Sequence, residues 1–241
     1  PLKSILAKRE RVSQEERKEM FALHEKYFFN VVHDRFMTAM NEKDWVIILR
    51  NDIGSISGFS TLQIIRQAAC GRECVFLFSG DTIVEQQYWQ ESTLAGAFGH
   101  FMLYLIDRHP RMPIYWFLIS KGYRTYRFLP VFFDKFYPSC RRATPTEHSC
   151  LLNAIATHKF KGAFQPESGI VRLGEKGDRL RPELCEMPVS HQNDPHVRFF
   201  REKNPNYSRG VGLACLAEIS RENLNHRAWR VINNTKVIWD E

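Results

Sequence analysis

The chain has 241 residues, of which 44% are hydrophobic and 13% aromatic, so it can bury a substantial core in one globular unit with an appended region. Charges, Pro or Gly interrupt every long apolar stretch, which argues against a membrane-spanning helix. The net charge of +7 favours acidic partners, and nucleic acid, anionic lipid, coenzyme phosphates and an acidic carrier protein all stay open.

The spacing of cysteines and histidines gives no support to a metal site. The six cysteines are scattered, and the closest pair, Cys70 and Cys74, lacks a second pair or nearby His ligands. No two histidines stand four residues apart with a carboxylate between them. We therefore predict no metal, a cytoplasmic location and reduced thiols that pack as small apolar groups.

The first 138 residues predict an alternation of strands and helices. In chain order the predicted elements are a strand over 2–9, a helix that begins with the capping box Ser13–Glu16, a helix over 30–41, strands over 45–49, 56–65 and 74–84, a helix over 88–108, a strand over 113–119 and a helix kinked near Pro130. This order is typical of a mixed α/β sheet and not of a helical bundle.

The pattern changes after Pro138. The predicted elements there are a helix over 144–159, strand pieces over 162–172, a loop over 174–188, a short helix over 194–201, a strand over 211–219 and a helix over 221–233. We therefore predict a core over residues 1–138 and a C-terminal region over 139–241 that completes the sheet with added helices and loops.

The junction between the fourth predicted strand and the next helix reads VEQQYWQESTLA, from Val84 to Ala95. It resembles the Gln/Arg-x-x-Gly-x-Gly/Ala signature of the GNAT acyltransferase superfamily, with Gln90 and Ala95 at the matching ends and Thr93 where Gly is usual. The order of elements over residues 2–137 shares this resemblance. It implies a GNAT-like, mostly antiparallel central sheet flanked by helices, with a C-terminal extension, and transfer of an acyl group from a thioester to an amine.

The signature implies that the donor phosphates bind at a helix N-terminus, where unpaired N–H groups and the helix dipole favour an anion. The side chain of Thr93 limits close approach, so the single phosphodiester of a carrier protein is an alternative to the pyrophosphate of coenzyme A. A plain helix start is the other interpretation. The residues assigned to donor binding are Val84, Gln90, Ser92, Thr93, Leu94, Ala95, Ser120, Arg124 and Arg127.

The length, the divergent phosphate loop and the C-terminal region look most like the long-chain N-acyl amino acid synthases and related bacterial proteins. That likeness implies acyl-CoA or acyl-phosphopantetheine as co-substrate, with no tightly bound cofactor. The implied partners are the thioester donor, an amine acceptor such as an amino acid, and peripheral contact with a membrane. An acidic acyl-carrier protein would suit the basic chain, and no nucleic-acid partner is expected.

The resemblance also implies a base and an acid for the reaction. Glu85 stands at the strand end where the superfamily commonly has a carboxylate or water as base, although an ordinary exposed Glu that suits the helix dipole fits equally. The usual acid, a Tyr, falls on Phe133. Tyr123 and Tyr126, one helical turn apart, are the substitutes, with a place in the core as the alternative for both.

The segment Ser120–Tyr137 mixes basic and aromatic residues. Arg124 and Arg127 share one helix face and can hold a phosphate or a substrate carboxylate, unless they form a solvated face. The resemblance implies that Ser120 faces the donor arm, and a helix cap is the alternative for it. Nucleic-acid binding is a third hypothesis for this segment, but no Lys/Arg cluster continues the stripe elsewhere.

An acyltransferase of this kind should have an open cleft between the fourth and fifth strands with a long apolar tunnel beside it. A fully paired sheet without a tunnel would contradict it. A non-catalytic binding or regulatory protein is the alternative, since Thr93 and Phe133 depart from the catalytic pattern. Cys140 and His148 could serve as nucleophile and base, but nothing in the sequence fixes their geometry.

Overall fold

The computed structural model describes residues 1–174, 177–185 and 189–241. The strands in these ranges are β1 (Lys3–Lys8), β2 (Phe28–Phe29), β3 (Trp45–Arg50), β4 (Ile56–Ala69), β5 (Arg72–Val84), β6 (Ile114–Ser120), β7 (Phe164–Gln165), β8 (Ile170–Val171), β9 (Arg179–Leu180), β10 (Gly212–Glu218) and β11 (Val237–Asp240). The large sheet runs β11-β1-β3-β4-β5-β6-β10-β8-β7, and β2 pairs with β9 in a small one.

Helices cover both faces of the large sheet. They are α1 (Gln14–Tyr27), α2 (His33–Asn41), α3 (Thr93–Arg108), α4 (Tyr123–Phe132), α5 (Thr146–Phe160), α6 (Pro182–Cys185), α7 (Val189–Gln192), α8 (Pro195–Lys203) and α9 (His226–Asn234). In the part of the chain that the structure describes, none of them is long and apolar enough to cross a membrane.

Most of the predicted elements are confirmed, and local signals explain them. The capping box forms as expected, because the Ser13 side chain accepts from the Glu16 N–H while the Glu16 side chain accepts from the Ser13 N–H. Strands β4 and β5 form a hairpin around Cys70 and Gly71, both of which have positive φ.

The sheet is mostly antiparallel. Parallel pairing occurs between β5 and β6 and between β1 and β11, while the other recorded pairs of strands run antiparallel. This confirms the predicted fold class, a mixed α/β structure with a mostly antiparallel sheet, flanking helices and a C-terminal extension.

Alternate residues of the central strands point to opposite faces of the sheet. Leu77 of β5 packs in a core with α3, α4 and α9, whereas its neighbours Phe76 and Phe78 pack against α5. On that second face, Ile48 of β3 joins a separate core with α1 and α2. The α5 core and the α1–α2 core leave a strip of the sheet between them, where the polar residues described below lie.

The C-terminal residues reach both sides of the central strands. Strand β10 pairs with β6, and β11, which the sequence did not predict, pairs with β1. Helix α9 packs closely on α3, since a side chain at Gly96 or Gly99 would collide with Thr235 or Ile232. The small residues at the start of α3 therefore make room for the C-terminal helix. The domain boundary at residue 138 stays a prediction.

Two expectations were wrong. Cys70 and Cys150 form a disulfide, with their Cα atoms 6.2 Å apart, and are not reduced thiols. The pair escaped prediction because 80 residues separate the β4–β5 turn from the first turns of α5. The predicted loop over 174–188 contains β9 and α6, while residues 175–176 and 186–188 lie outside the described residues.

Candidate active site

The parallel pair β5 and β6 separates partway along its length. Pairing runs from Val75 with Ile114 to Ser79 with Leu118, and β5 then continues through residues 80–84 with no partner on β6. On its other edge this part of β5 still pairs with β4. We term the space between residues 80–84 and the end of β6 the wedge. It corresponds to the cleft expected between the fourth and fifth predicted strands.

A bulge in the β4–β5 ladder lies where the wedge begins. The register shifts between Ser60 and Leu62, opposite Gly80. A Cβ atom at Gly80 would lie 2.6 Å from Thr61 Oγ1 and 2.9 Å from Lys43 Cε, so only glycine fits this backbone without displacing those side chains. Lys43 and Thr61 therefore lie directly on the strand that borders the wedge.

Lys43 is a buried lysine, with only 6% of its surface exposed. Burial lowers the pKa of its amine, and the nearby Lys159 lowers it further, while Asp81, Glu42 and Asp44 raise it by a smaller total. Its Nζ lies 5.6 Å from the centre of the Phe78 ring. An amine held in this way gives up a proton more readily than an ordinary lysine does.

His24 of α1 is equally buried. Burial lowers the pKa of its imidazole, Asp81 and Asp178 raise it, and Lys121 and Arg35 lower it again, so that the net shift is downward. Its Nε2 lies 3.7 Å from Asp178 Oδ2. Its Nδ1 is buried without a hydrogen-bond partner among the described residues.

Asp81 connects these groups. It lies on residues 80–84 of β5, and its carboxylate acts electrostatically on both His24 and Lys43. We term Lys43, His24 and Asp81 the polar cluster. In such a group a carboxylate can accept a proton and a lysine of lowered pKa can donate one.

Among the buried polar atoms next to β5 that have no partner in the described residues, two lie near Gly80 and Asp81. They are Nδ1 of His24 and the hydroxyl oxygen of Thr61. Most buried polar atoms in proteins are hydrogen-bonded, to protein or to ordered water or ligand. Both atoms lie on the side of the strand that carries Asp81 and Lys43.

Glu85, the predicted base, lies just beyond the polar cluster. Burial raises the pKa of its carboxyl, but hydrogen bonds from Lys26, Ser57 and Gln87 outweigh burial, so that the pKa is lowered overall. Its Oε1 lies 3.0 Å from Lys26 Nζ. A carboxylate that is stabilised in its charged form is a weak base.

The two predicted acids, Tyr123 and Tyr126, are buried in the core beneath α4. Tyr126 donates to the carbonyl oxygen of Pro138 at 2.8 Å, and burial raises its pKa, so it is not free to protonate a leaving group. Burial also raises the pKa of Tyr123. The Tyr123 hydroxyl has no partner among the described residues and stays the better candidate of the two.

Arg124 and Arg127 each contact other parts of the protein. The guanidinium of Arg124 lies over the Trp89 ring at 4.0 Å and donates to the carbonyl of Leu184. Arg127 is bonded to Asp194 at 3.2 Å. Both arginines hold neighbouring segments in place, and their part in binding a phosphate stays a prediction.

The start of α3, where the phosphate site is predicted, has an acidic neighbour. Thr93 begins the helix, and its hydroxyl donates to the carboxylate of Glu91 at 3.2 Å. The exposed Ser92 occupies the N-cap position without a side-chain bond, and the exposed Gln90 lies just before it. Glu91 therefore places a negative charge beside the helix end that an incoming phosphate would need.

The remaining predicted donor-binding residues are mostly engaged in packing. The Val84 carbonyl accepts from the indole N–H of Trp89, Leu94 belongs to the main core, and Ala95 borders an apolar crevice. Ser120 is fully buried, with its Oγ 3.8 Å from Cys215 Sγ on β10. The side chain of Ser120 therefore neither faces the wedge nor caps α4, whose N-cap is Gly122.

The crevice beside α3 is the nearest counterpart of the expected tunnel. Its lining residues are apolar: Ala95, Phe98, Gly99, Met102, Trp116, Phe128, Phe132, Phe133, Ala228 and Ile232. Its volume is only about 10 Å³, too little for a fatty acyl chain. The strands thus open as expected, whereas this crevice is not a long tunnel.

A segment that the sequence predicted as loop lies beside the open end of the wedge. Strand β9 pairs with β2 at the end of α1, and the Lys121 amine, at the end of β6, donates to the carbonyl of Asp178. Leu184 of α6 packs in the same core as Trp89. Residues 178–185 therefore bridge the end of α1 and the start of α4.

No protein-family model matches the chain, and no curated protein matches it. Among solved structures it is similar to a protein of unknown function from Enterococcus faecalis described as a "Probable N-Acyltransferase", at 17% identity and TM-score 0.43 over 55% of this chain and 33% of that one. It thus spans about a third of that protein.

Two further structures show similar values. The GNAT family N-acetyltransferase YhbS from Escherichia coli, in complex with CoA, matches at 12% identity and TM-score 0.39 over 53% of this chain and 68% of that one. An acetyltransferase from Trypanosoma brucei matches at 13% identity and TM-score 0.38 over 60% and 98%. At such similarity, any assignment of function depends on the topology and the site of this chain itself.

The sequence did not single out the polar cluster. Lys43 precedes a strand, His24 lies in an amphipathic helix, and Asp81 interrupts an apolar run, which is ordinary in each local context. One signal was present, because the polar stretch Ser79-Gly-Asp81 in the middle of an otherwise buried strand is typical of a bulge or a close approach. Only the fold shows that α1 and the α2–β3 turn meet that stretch.

Proposed function

We propose that this chain is an acyltransferase of the GNAT superfamily that moves an acyl group from a thioester to an amine. The observation that carries the proposal is the separation of the parallel pair β5 and β6 directly beside the polar cluster. A thioester arm can lie along residues 80–84, where β5 lacks a partner on β6, and pair with the strand as another strand would.

The polar cluster supplies the groups that the reaction needs. The attacking amine must lose a proton, and the leaving thiolate benefits from gaining one. We assign Asp81 as the general base, with His24 as its buried neighbour. Lys43, whose pKa burial lowers, takes the part of the proton donor that the family's tyrosine would play. Glu85 stays the alternative base and Tyr123 the alternative acid.

The donor in this proposal is acyl-CoA or an acyl group on the phosphopantetheine of a carrier protein. The net charge of +7 supports an acidic carrier, and an amino acid is a suitable amine acceptor. A long acyl chain would require the crevice beside α3 to widen from about 10 Å³. The geometry therefore supports a short acyl group better than a fatty one.

The test is to incubate the purified chain with acetyl-CoA, palmitoyl-CoA or an acyl-carrier protein and a pool of amino acids. Thiol release and mass spectrometry of N-acyl products are measured together. We expect product with at least one donor and its loss in Asp81→Asn, but not in Asp52→Asn, an exposed carboxylate that lies by the N-terminal amine. Product formation that is equal in both variants would remove Asp81 from the mechanism.

A non-catalytic binding protein on the same fold is the second candidate. Glu91 beside the start of α3 and the Tyr126 hydroxyl bonded to Pro138 favour it, since both depart from what catalysis of this type uses. Calorimetric binding of CoA without turnover of any donor would support this second function over the first.

A further inference from the structure

A cavity of about 610 Å³ lies away from the wedge. It opens between the connection from α4 to α5 and helix α8, and it is large enough for a small-molecule ligand. Its lining residues are Pro138, Ser139, Cys140, Arg141, Arg142, Ala143, Thr144, Pro195, Arg198, Phe199, Glu202 and Lys203. None of them belongs to the wedge or to the polar cluster.

An exposed thiol in this cavity contacts an imidazole. Cys140 Sγ lies 3.3 Å from Nδ1 of His196, within the distance of a hydrogen bond to sulfur. The sequence suggested His148 as the partner of Cys140, but the His148 ring packs instead against Tyr137, with ring centres 4.6 Å apart. A thiol beside an imidazole is the arrangement that activates a cysteine nucleophile.

His196 is held firmly in place. It is the second residue of α8, whose N-cap Asp194 accepts from the His196 backbone N–H at 2.9 Å, and its ring packs on Phe136. The ring is buried, and its Nε2 has no partner among the described residues. Burial lowers the pKa of the imidazole, which therefore stays neutral and able to accept a proton.

The cavity is strongly basic. Arg141, Arg142, Arg198 and Lys203 line it, against the single carboxylate of Glu202. No ion pair is recorded for the three arginines in the described part of the chain, and all three are exposed. Guanidinium groups that are not neutralised by the protein favour a ligand with phosphate or carboxylate groups.

The geometry points to a second, thiol-based site in which Cys140 accepts the acyl group of an anionic acyl thioester and His196 serves as its base. The imidazole takes the thiol proton while Sγ attacks the carbonyl carbon. When the carbon–sulfur bond of the donor breaks, the proton passes to the leaving thiolate. One thioester is exchanged for another, and nothing is oxidised or reduced.

Acetyl-CoA is the probe for this site. The full chain is incubated with it, the intact mass is followed over time, and the modified peptide is identified. We expect one acetyl group on Cys140 that neutral hydroxylamine removes, because hydroxylamine cleaves thioesters and leaves amides intact. Cys140→Ala should abolish the adduct, and His196→Gln should slow its formation at least tenfold. An adduct that favours Cys185, or equal rates with and without His196, would overturn the proposal.

A matched pair of arginines tests anion recognition without touching the thiol or the imidazole. Arg198 lines the cavity, whereas Arg201, also exposed on α8, does not. Arg198→Gln should slow acylation by acetyl-CoA threefold or more but not acylation by S-acetyl-N-acetylcysteamine, which is uncharged, and Arg201→Gln should slow neither. If the Arg198 and Arg201 variants were acylated by acetyl-CoA at equal rates, anion binding in the cavity would be overturned. This test does not depend on whether His196→Gln folds.

This proposal shares its donor class with the proposed function, yet the two give different readouts in the same incubation. A soluble N-acyl product that resists hydroxylamine reports on the wedge. A labile adduct on Cys140 reports on the cavity. Either one can be present without the other, so the failure of one proposal is distinguishable from the failure of the second.

Discussion

Two neighbouring segments that follow the paired part of β5 differ in what their side chains do. Residues 80–84 include the Asp81 carboxylate and lie beside a buried amine and two buried polar atoms without partners in the described structure. Residues 90–95 resemble a known signature, yet Glu91 lies beside the N-terminus of α3 and Leu94 packs in the core. The buried polar groups are thus concentrated beside the strand, whereas the segment that resembles the signature lies at the start of the helix.

The largest test of this contrast is Asp81→Asn. If the strand side carries catalysis, kcat/KM for the acyl donor should fall by about 10²- to 10⁴-fold, the usual contribution of a general base. Glu85→Gln, just after the end of β5, should change kcat/KM little, because Lys26 already neutralises the Glu85 carboxylate. Thiol release under saturating amine measures both. The reverse order of effects would make Glu85 the base.

Removal of the disulfide tests whether the geometry of the wedge depends on the β4–β5 turn, at the opposite end of β5. Cys70→Ser combined with Cys150→Ser should lower the free energy of unfolding by about 2–4 kcal/mol, since the bridge closes a long loop in the unfolded chain. Guanidinium denaturation measures the loss. Activity per folded molecule should stay unchanged, and a drop in it would show that the hairpin end positions the polar cluster.

Lys43→Met tests the proton donor on the strand side. Burial lowers the pKa of Lys43, so its protonated form is present at low pH and is lost, with activity, as the pH rises through a value below the ordinary lysine range. The pH profile of kcat should show that alkaline limb in the wild type. Lys43→Met should remove the limb and lower kcat by about 10²-fold, the low end of what a general acid contributes. Lys18→Met, on the exposed side of α1, is the control and should keep the limb.

The smallest effect should come from Glu91→Gln on the helix side. Removing a negative charge near a helix N-terminus should strengthen the binding of an anion there by about 0.3–1 kcal/mol. The Kd for the donor should therefore fall by about two- to fivefold. Calorimetry with CoA at low salt measures the change, and added salt should reduce it. Unchanged affinity would mean that the donor phosphates bind away from α3.

Local patterns accounted for much of the fold. The capping box at Ser13 and the apolar runs of β3, β5 and β6 depend on neighbours a few residues away, which a sequence displays directly. Strand β11 did not stand out because its residues are largely exposed at the sheet edge. The pairing of β2 with β9 joins two residues on each side and leaves almost no periodicity to recognise.

The candidate sites were harder to predict, because their members are far apart along the chain. Asp81 comes within electrostatic range of His24 only when α1 packs against β5, and Cys140 contacts His196 across 56 residues. The predicted tyrosines show the opposite difficulty. Their spacing correctly placed Tyr123 and Tyr126 on one face of a helix, but spacing does not say whether that face meets a cleft or the core.

The pairing of β1 with β11 also matters for the order in which the molecule assembles. Strand β1 lies between β3 and β11, with Ser4 opposite Val237, so one of its two neighbours comes from the opposite end of the chain. Contacts of such long sequence separation form late and slowly. Until they form, one edge of β1 is open to pairing with other chains, and α3 lacks the helix that covers its glycines.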